Sequence, residues 1–201
     1  GFQTVEQAAW GASDNDALCI DLAPPSIKKI GKSFCLGELT IPVGVLPKPF
    51  DWIVKNISFN DKLRGRRASF FSKPGILSYS YNGGNHTSLG WPKFLDEILG
   101  FTGGRNYYNS CLVQMYEENS KLALHKDDES CYEPGHKVLT VNLTGSATFI
   151  VSKTRNPVEG NHCSLTIEPS EFFEMPRGMQ SNFFHGVSNC LSGRVSLTFR
   201  R

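Results

Sequence analysis

The tripeptide His125-Lys126-Asp127 sets an imidazole and a carboxylate two residues apart, and a second imidazole follows far along the chain as His185 in the segment FFHGV. Side chains i and i+2 of an extended strand share a face about 7 Å apart at the backbone, so His125 and Asp127 can meet at one ion. His185, from a distant strand, would complete two imidazoles and one carboxylate on one face of an octahedron. The three positions left open suit non-haem Fe(II) that must hold a cosubstrate and dioxygen together. His-x-Asp pairs are also common on surfaces where they bind nothing, so the reading depends on what stands around them.

Two arginines near the end of the chain strengthen it. The run RVSLTFR over 194–200 alternates, which sets Arg194, Ser196, Thr198 and Arg200 on one face and Val195, Leu197 and Phe199 on the other. The strand between them separates the two guanidinium origins by about 20 Å, and each side chain reaches inward. A small keto-diacid fits such a gap. Residues 111–116 alternate too, so Gln114 and Tyr116 share a face where an amide and a phenol can hydrogen-bond the same anion. Taken singly, either arginine reads more simply as part of a solvated or acid-paired strand face.

These residues need a β framework. From 110 onward the hydrophobic period is two, with runs at 111–116, 138–143, 147–151, 164–167, 171–175 and 195–200 separated by Gly, Pro, Asn or Ser turns. Short antiparallel strands without crossover helices predict a sandwich or jelly-roll barrel. One amphipathic helix is expected over 91–99, with Pro92 near its start and Gly100 past its end. Residues 64–91 combine Arg64, Arg66 and Arg67 with Phe70, Phe71, Tyr79 and Tyr81 and read as a hairpin-rich flap. The basic run reads evenly as solvated or as phosphate contacts to a single strand. The first fifty residues offer a short helix at 6–10 and proline-punctuated extended pieces. His86, His136 and His162 fall in turn-rich segments expected at the surface, and Cys111 is expected to pack inside the barrel.

The chain has 201 residues, 39% hydrophobic, 20% charged and 11% aromatic, which fits one globular core and excludes disorder. Its net charge of +2 means that any nucleic-acid footprint is local. Six cysteines without a C-x-x-C argue against a zinc ribbon and for reduced cytosolic thiols. No apolar run reaches the roughly 20 residues of a membrane span. The N-terminus lacks a secretory signal, so three N-x-S/T matches read as chance. The absence of an initial Met and the stop at Arg201 point to a piece of something longer.

The stretch CLVQMYEENSKLALHKDDE, followed by NFFHGV and GRVSLTFRR, resembles the AlkB family of Fe(II)- and 2-oxoglutarate-dependent nucleic-acid demethylases. More narrowly, it resembles the AlkB domain of replicase polyproteins of plant positive-strand RNA viruses. The likeness runs over roughly 105–201 and extends to 64–99. It implies a mainly β (α+β) double-stranded β-helix carrying a nucleotide-recognition lid, in a single domain with about 1–50 as an extension, 51–104 as lid and helix, and 105–201 as catalytic jelly-roll. His125, Asp127 and His185 become the iron ligands. Tyr116 and Arg194 hold the distal carboxylate of 2-oxoglutarate, and Arg200 stands near its keto-acid end and the metal carboxylate. Gln114 and Ser196 belong to the same pocket, although many relatives carry Asn at the first position and some at the second. Glu129 hydrogen-bonds the damaged base and Tyr79 or Tyr81 stacks on it; from the basic run, Arg66 and Arg67 stand as candidate substrate contacts. Arg177 is a further candidate contact.

With Fe(II), 2-oxoglutarate and dioxygen as cofactors, the expected reaction removes N-methyl groups from bases in single-stranded RNA or DNA. An unstacked base is cheap in a single strand and costs a few kcal/mol in a duplex. The expected setting is host cytoplasm, as a monomer within a polyprotein. A 2-oxoglutarate oxygenase of protein side chains and a catalytically silent RNA-binding module are the competing readings; a cysteine protease would need a Cys–His pair that the sequence does not place.

Overall fold

The computed structural model describes residues 29–76, 78–81, 84–191 and 193–201. The expected helix at 6–10 lies outside the described residues, as do the side chains of Tyr79 and Tyr81. Among the described residues the chain forms β1 (Lys29–Leu36), β2 (Leu39–Val45), a 3-10 turn (Asp51–Asn56), β3 (Asp61–Leu63), β4 (Arg66–Ser72), β5 (Ser78–Tyr81), β6 (Gly84–Thr87) and helix α1 (Lys93–Thr102). There follow β7 (Ser110–Tyr116), β8 (Leu122–His125), β9 (Val138–Thr144), β10 (Ala147–Ser152), β11 (His162–Ile167), β12 (Glu171–Met175), the single turn α2 (Met179–Asn182), β13 (Phe184–Ser188) and β14 (Arg194–Arg200).

An eight-stranded sheet runs β1-β2-β12-β9-β14-β7-β4-β3 and a four-stranded sheet runs β11-β10-β13-β8, every pairing antiparallel. The fold is a mainly β double-stranded β-helix, or jelly-roll. Residues 29–45, read from sequence as part of an extension, form the edge of the larger sheet. The segment read as a flap is divided: β4 pairs along its whole length with β7 in the large sheet, and only β5–β6 makes a separate hairpin. Aromatic, β-branched and aliphatic residues concentrate in these runs, and β7, β9 and β14 are buried almost continuously because both of their faces are covered.

Two apolar layers result. Between the sheets, Phe34, Phe149 and Phe173 contact edge to face at 4.6–5.5 Å and pack with Ile41, Val43, Val151 and Met175. Behind the large sheet, Val113, Val195, Leu197 and Phe199 pack under α1. That helix starts after Pro92 and buries Phe94, Leu95, Ile98 and Leu99, each worth roughly 1.5–3 kcal/mol of transfer free energy. It ends at Gly103 rather than at Gly100. Gly103 has φ 79°, and its N–H closes on Leu99 O, the left-handed cap that glycine adopts without a Cβ penalty. Cys111 also lies in this rear layer, on the face opposite Gln114 and Tyr116, and so does not point into the barrel.

Candidate metal and cosubstrate site

His125 closes β8 and His185 sits on β13, and the two are direct cross-strand partners whose ring centroids lie 4.4 Å apart. The register slips between His185 and Val187, and Gly186 occupies the irregularity. A Cβ there would stand 2.7 Å from Leu122 O, so glycine is what lets β8 come close enough to bring the two imidazoles together. Asp127, just past β8, is 1% exposed. One of its oxygens lies 3.3 Å from His125 Nε2 and the other 3.8 Å from His185 Nε2. One ligand atom from each of the three residues falls within 4.8 Å of the others, close enough for a single ion.

The surroundings prepare those atoms. His125 Nδ1 lies 2.8 Å from Ala123 O; a proton there leaves the Nε2 lone pair for a metal. Burial pulls His185 down to a pKa of about 3, so its imidazole is neutral at pH 7. Burial pushes the Asp127 carboxyl up, but the Arg200 guanidinium and the neighbouring imidazoles hold it well below the usual carboxylate range. Arg200 donates to the same Asp127 oxygen from Nε at 3.0 Å and Nη2 at 2.8 Å. The Asp127 N–H donates to Gln180 Oε1 at 2.8 Å, which ties the ligand loop to α2.

A cleft opens from this cluster between the sheets, lined by Gln114, Tyr116, Thr140, Arg194, Ser196 and Thr198 on one side and Phe149, His185 and Val187 on the other. Arg194 is 2% exposed. Its Nε donates to Asn142 Oδ1 at 2.9 Å, and its guanidinium lies 4.7 Å from the centre of the Tyr116 ring. Its Nη1 is buried with no hydrogen-bond partner, a vacancy that a carboxylate would fill. Asn142 also donates to Gly145 O at 2.6 Å, and a Cβ on Gly145 would meet Arg194 Cα at 2.9 Å, so the Gly145 turn seats the arginine.

The sequence-predicted residues divide plainly. His125, Asp127 and His185 converge, and Gln114, Tyr116, Arg194 and Ser196 line one cleft with Arg200 bridging to the carboxylate. Arg66, read as a candidate substrate contact, is 4% exposed, and its Nε donates to Gln114 Oε1 at 2.6 Å. Its place is in the inner face of the sheet, because on β4 it stands opposite Tyr116. Arg67, one residue on, is exposed. Glu129 is half-buried in a second cleft beside Asp127, where burial raises its pKa and Oε2 has no partner. His86 and His136 are buried, not exposed: His86 Nδ1 contacts Asp61 at 2.7 Å, and His136 packs against Tyr132. Sequence reasoning missed Asn142, Thr140 and Gln180. The alternation of β9 with β14 was the available signal for the first two; nothing pointed to Gln180.

A jelly-roll with two imidazoles and a carboxylate at one end of a cleft and a buried, half-satisfied arginine farther in defines an iron- and keto-acid-dependent oxygenase. The chain belongs to the 2OG-Fe(II) oxygenase superfamily, whose family profile matches residues 46–200. It is 41% identical over 143 residues to replicase protein 1a of Grapevine leafroll-associated virus 3, covering 71% of this chain and 6% of that protein. It is also 41% identical over 143 residues to the RNA replication protein of papaya mosaic potexvirus, covering 70% and 9%, and 36% identical over 192 residues to the RNA replication polyprotein of Blueberry scorch virus, covering 93% and 9%. The chain thus spans less than a tenth of these relatives' length. Its fold matches the structure of OsALKBH1 with a TM-score of 0.53 at 18% identity, over 75% of this chain and 89% of that one. The AlkB-like fold follows from that structural match; Fe(II), 2-oxoglutarate and dioxygen follow from the superfamily membership, and the donor set described above fits them.

Proposed function

We propose that this chain is an oxidative demethylase that removes N-methyl groups from bases in single-stranded RNA, and also in DNA, within a viral replicase polyprotein in host cytoplasm. The observation that carries it is that the His125–Asp127–His185 cluster borders two clefts, the histidines lining one and Asp127 the other. One cleft, lined by His125, His185 and Arg200, holds the unpartnered Arg194 nitrogen that a keto-diacid would engage, and the other is lined by Asp127, Glu129, Tyr132 and His136. An iron bound by His125, Asp127 and His185, with 2-oxoglutarate and dioxygen, would supply the oxidant that hydroxylates the methyl group; the product loses formaldehyde. Arg194, with Tyr116 beneath it, would grip the distal carboxylate of the keto acid. Arg200 fixes Asp127 and adds positive charge near the keto-acid end. Asn142 and Gly145 hold Arg194 in place, and Phe149, stacked on His185 at 5.8 Å, keeps that imidazole in a dry wall. Glu129 would accept a hydrogen bond from the flipped base.

No helix among the described residues is long and apolar enough to cross a membrane. The deciding experiment supplies methylated single- and double-stranded oligonucleotides with Fe(II) and 2-oxoglutarate and measures formaldehyde and demethylated base. Turnover that is faster on the single strand is expected. Equal or better turnover on duplex DNA would contradict the strand preference, and succinate production without any demethylated base would favour a protein substrate.

A further inference from the structure

Tyr107, in the loop before β7, carries three cations against its ring: Lys137 at 4.5 Å from the centroid, Arg177 at 5.2 Å and Arg201 at 5.4 Å. They come from three separate segments, ahead of β9, between β12 and α2, and after β14. Internal pairing accounts for part of this charge only. Lys137 reaches Glu174 at 3.6 Å and Arg201 reaches Glu133 at 3.5 Å, both in partly exposed pairs of small worth. Arg177 is exposed and makes no ion pair among the described residues. Lys73 and Arg105 extend the patch: Lys73 donates to Arg105 O at 2.8 Å, lies 5.4 Å from the Trp91 ring centre, and feels the charges of Asp96, Arg105 and Arg201. In a chain whose net charge is only +2, this is a local concentration.

The patch borders the second cleft. Glu133, whose N–H donates to Arg201 O at 2.8 Å, lines that cleft with His136 and Asp127. His136 is 3% exposed and its Nε2 is buried without a partner, so the cleft wall holds an unused polar atom. A cationic rim with an aromatic ring, leading into a cleft with unsatisfied polar groups, matches a nucleotide strand whose phosphate is held outside while its base goes in.

We infer that Lys137, Arg177 and Arg201 around Tyr107 hold a backbone phosphate of a single nucleic-acid strand whose reacting base enters the cleft beside Asp127. This rests on the demethylase reading above. The test measures binding of a fluorescein-labelled, methylated single-stranded RNA oligonucleotide across a salt series, alongside demethylation. Arg177→Gln and Lys137→Gln should each weaken binding several-fold and reduce the slope of log affinity against log salt by about 0.7. Arg177→Lys, which keeps the charge, should keep the slope. Wild-type protein that demethylates the strand while the Gln variants bind with unchanged affinity and slope would overturn the inference and leave the demethylase reading standing. Wild-type protein that neither binds nor demethylates would overturn both.

Discussion

Strand β14 has two faces that are equally dry and chemically opposite. Val195, Leu197 and Phe199 are fully buried under α1, in a layer made of apolar groups that satisfy one another. Arg194, Ser196, Thr198 and Arg200 are buried almost as well on the other face, yet Arg194 keeps a nitrogen with no partner. Depth of burial therefore does not distinguish core from site in this molecule. The distinction is whether the buried groups complete one another: the rear layer is closed, and the front one leaves an arginine nitrogen open that a bound anion would complete.

Substitutions on the two faces should separate these roles. Phe199→Ala should lower stability by about 3–5 kcal/mol in urea denaturation while the surviving folded protein still binds 2-oxoglutarate. Arg194→Met on the front face should raise the KM for 2-oxoglutarate roughly 10- to 100-fold, the worth of about 1.5–3 kcal/mol for a charge-assisted hydrogen bond, with a far smaller effect on unfolding. If the two substitutions gave matching losses of stability, the contrast between the faces would fail. Gly186→Ala acts between them: its Cβ would push β8 away from β13 and spread the imidazoles, so iron affinity should fall about tenfold, in line with other groups that orient metal ligands. A dye-based unfolding assay with and without Fe(II) under nitrogen reads both effects.

The smallest effect concerns pH. Burial, followed by the Arg200 charge, lowers the pKa of His136, so the unfolded chain takes up a proton before the folded one does. Stability contributed by this group is therefore complete above about pH 6.5 and declines as the pH falls toward the lower folded value. His136→Gln should flatten the stability profile across that interval; an unchanged slope would show that His136 titrates as freely in the folded protein as in the unfolded.

The front and rear faces were also unequally legible in the sequence. Alternation over 194–200 and 111–116 separates the polar set from the apolar set because a strand's side chains have period two, and the observed register of β14 with β7 keeps Ser196 opposite Gln114 and Arg194 opposite Tyr116. The convergence of His185 with His125 is a matter of sheet pairing between segments far apart in the chain, which spacing does not encode; the family resemblance supplied it. Arg66 was misplaced because a run of three arginines reads as a solvated cluster, while tertiary pairing of β4 with β7 turns only the middle one inward. His86 and His136 were misplaced for a related reason: turn-like composition describes the local chain, whereas burial depends on what folds over it. Helix α1 continues past Gly100 because Phe101 and Thr102 can still follow the helix, and Gly103 supplies the left-handed residue that ends it.

The most direct test of the central claim is anaerobic titration of the folded protein with Fe(II) and 2-oxoglutarate, following the visible charge-transfer absorption of the keto-acid chelate. The wild-type chain should develop the band with one equivalent of each. Asp127→Ala should not develop it, and Arg194→Met should do so only at much higher 2-oxoglutarate. A folded wild-type protein that develops no band, or an Asp127→Ala variant that develops one unchanged, would contradict the account.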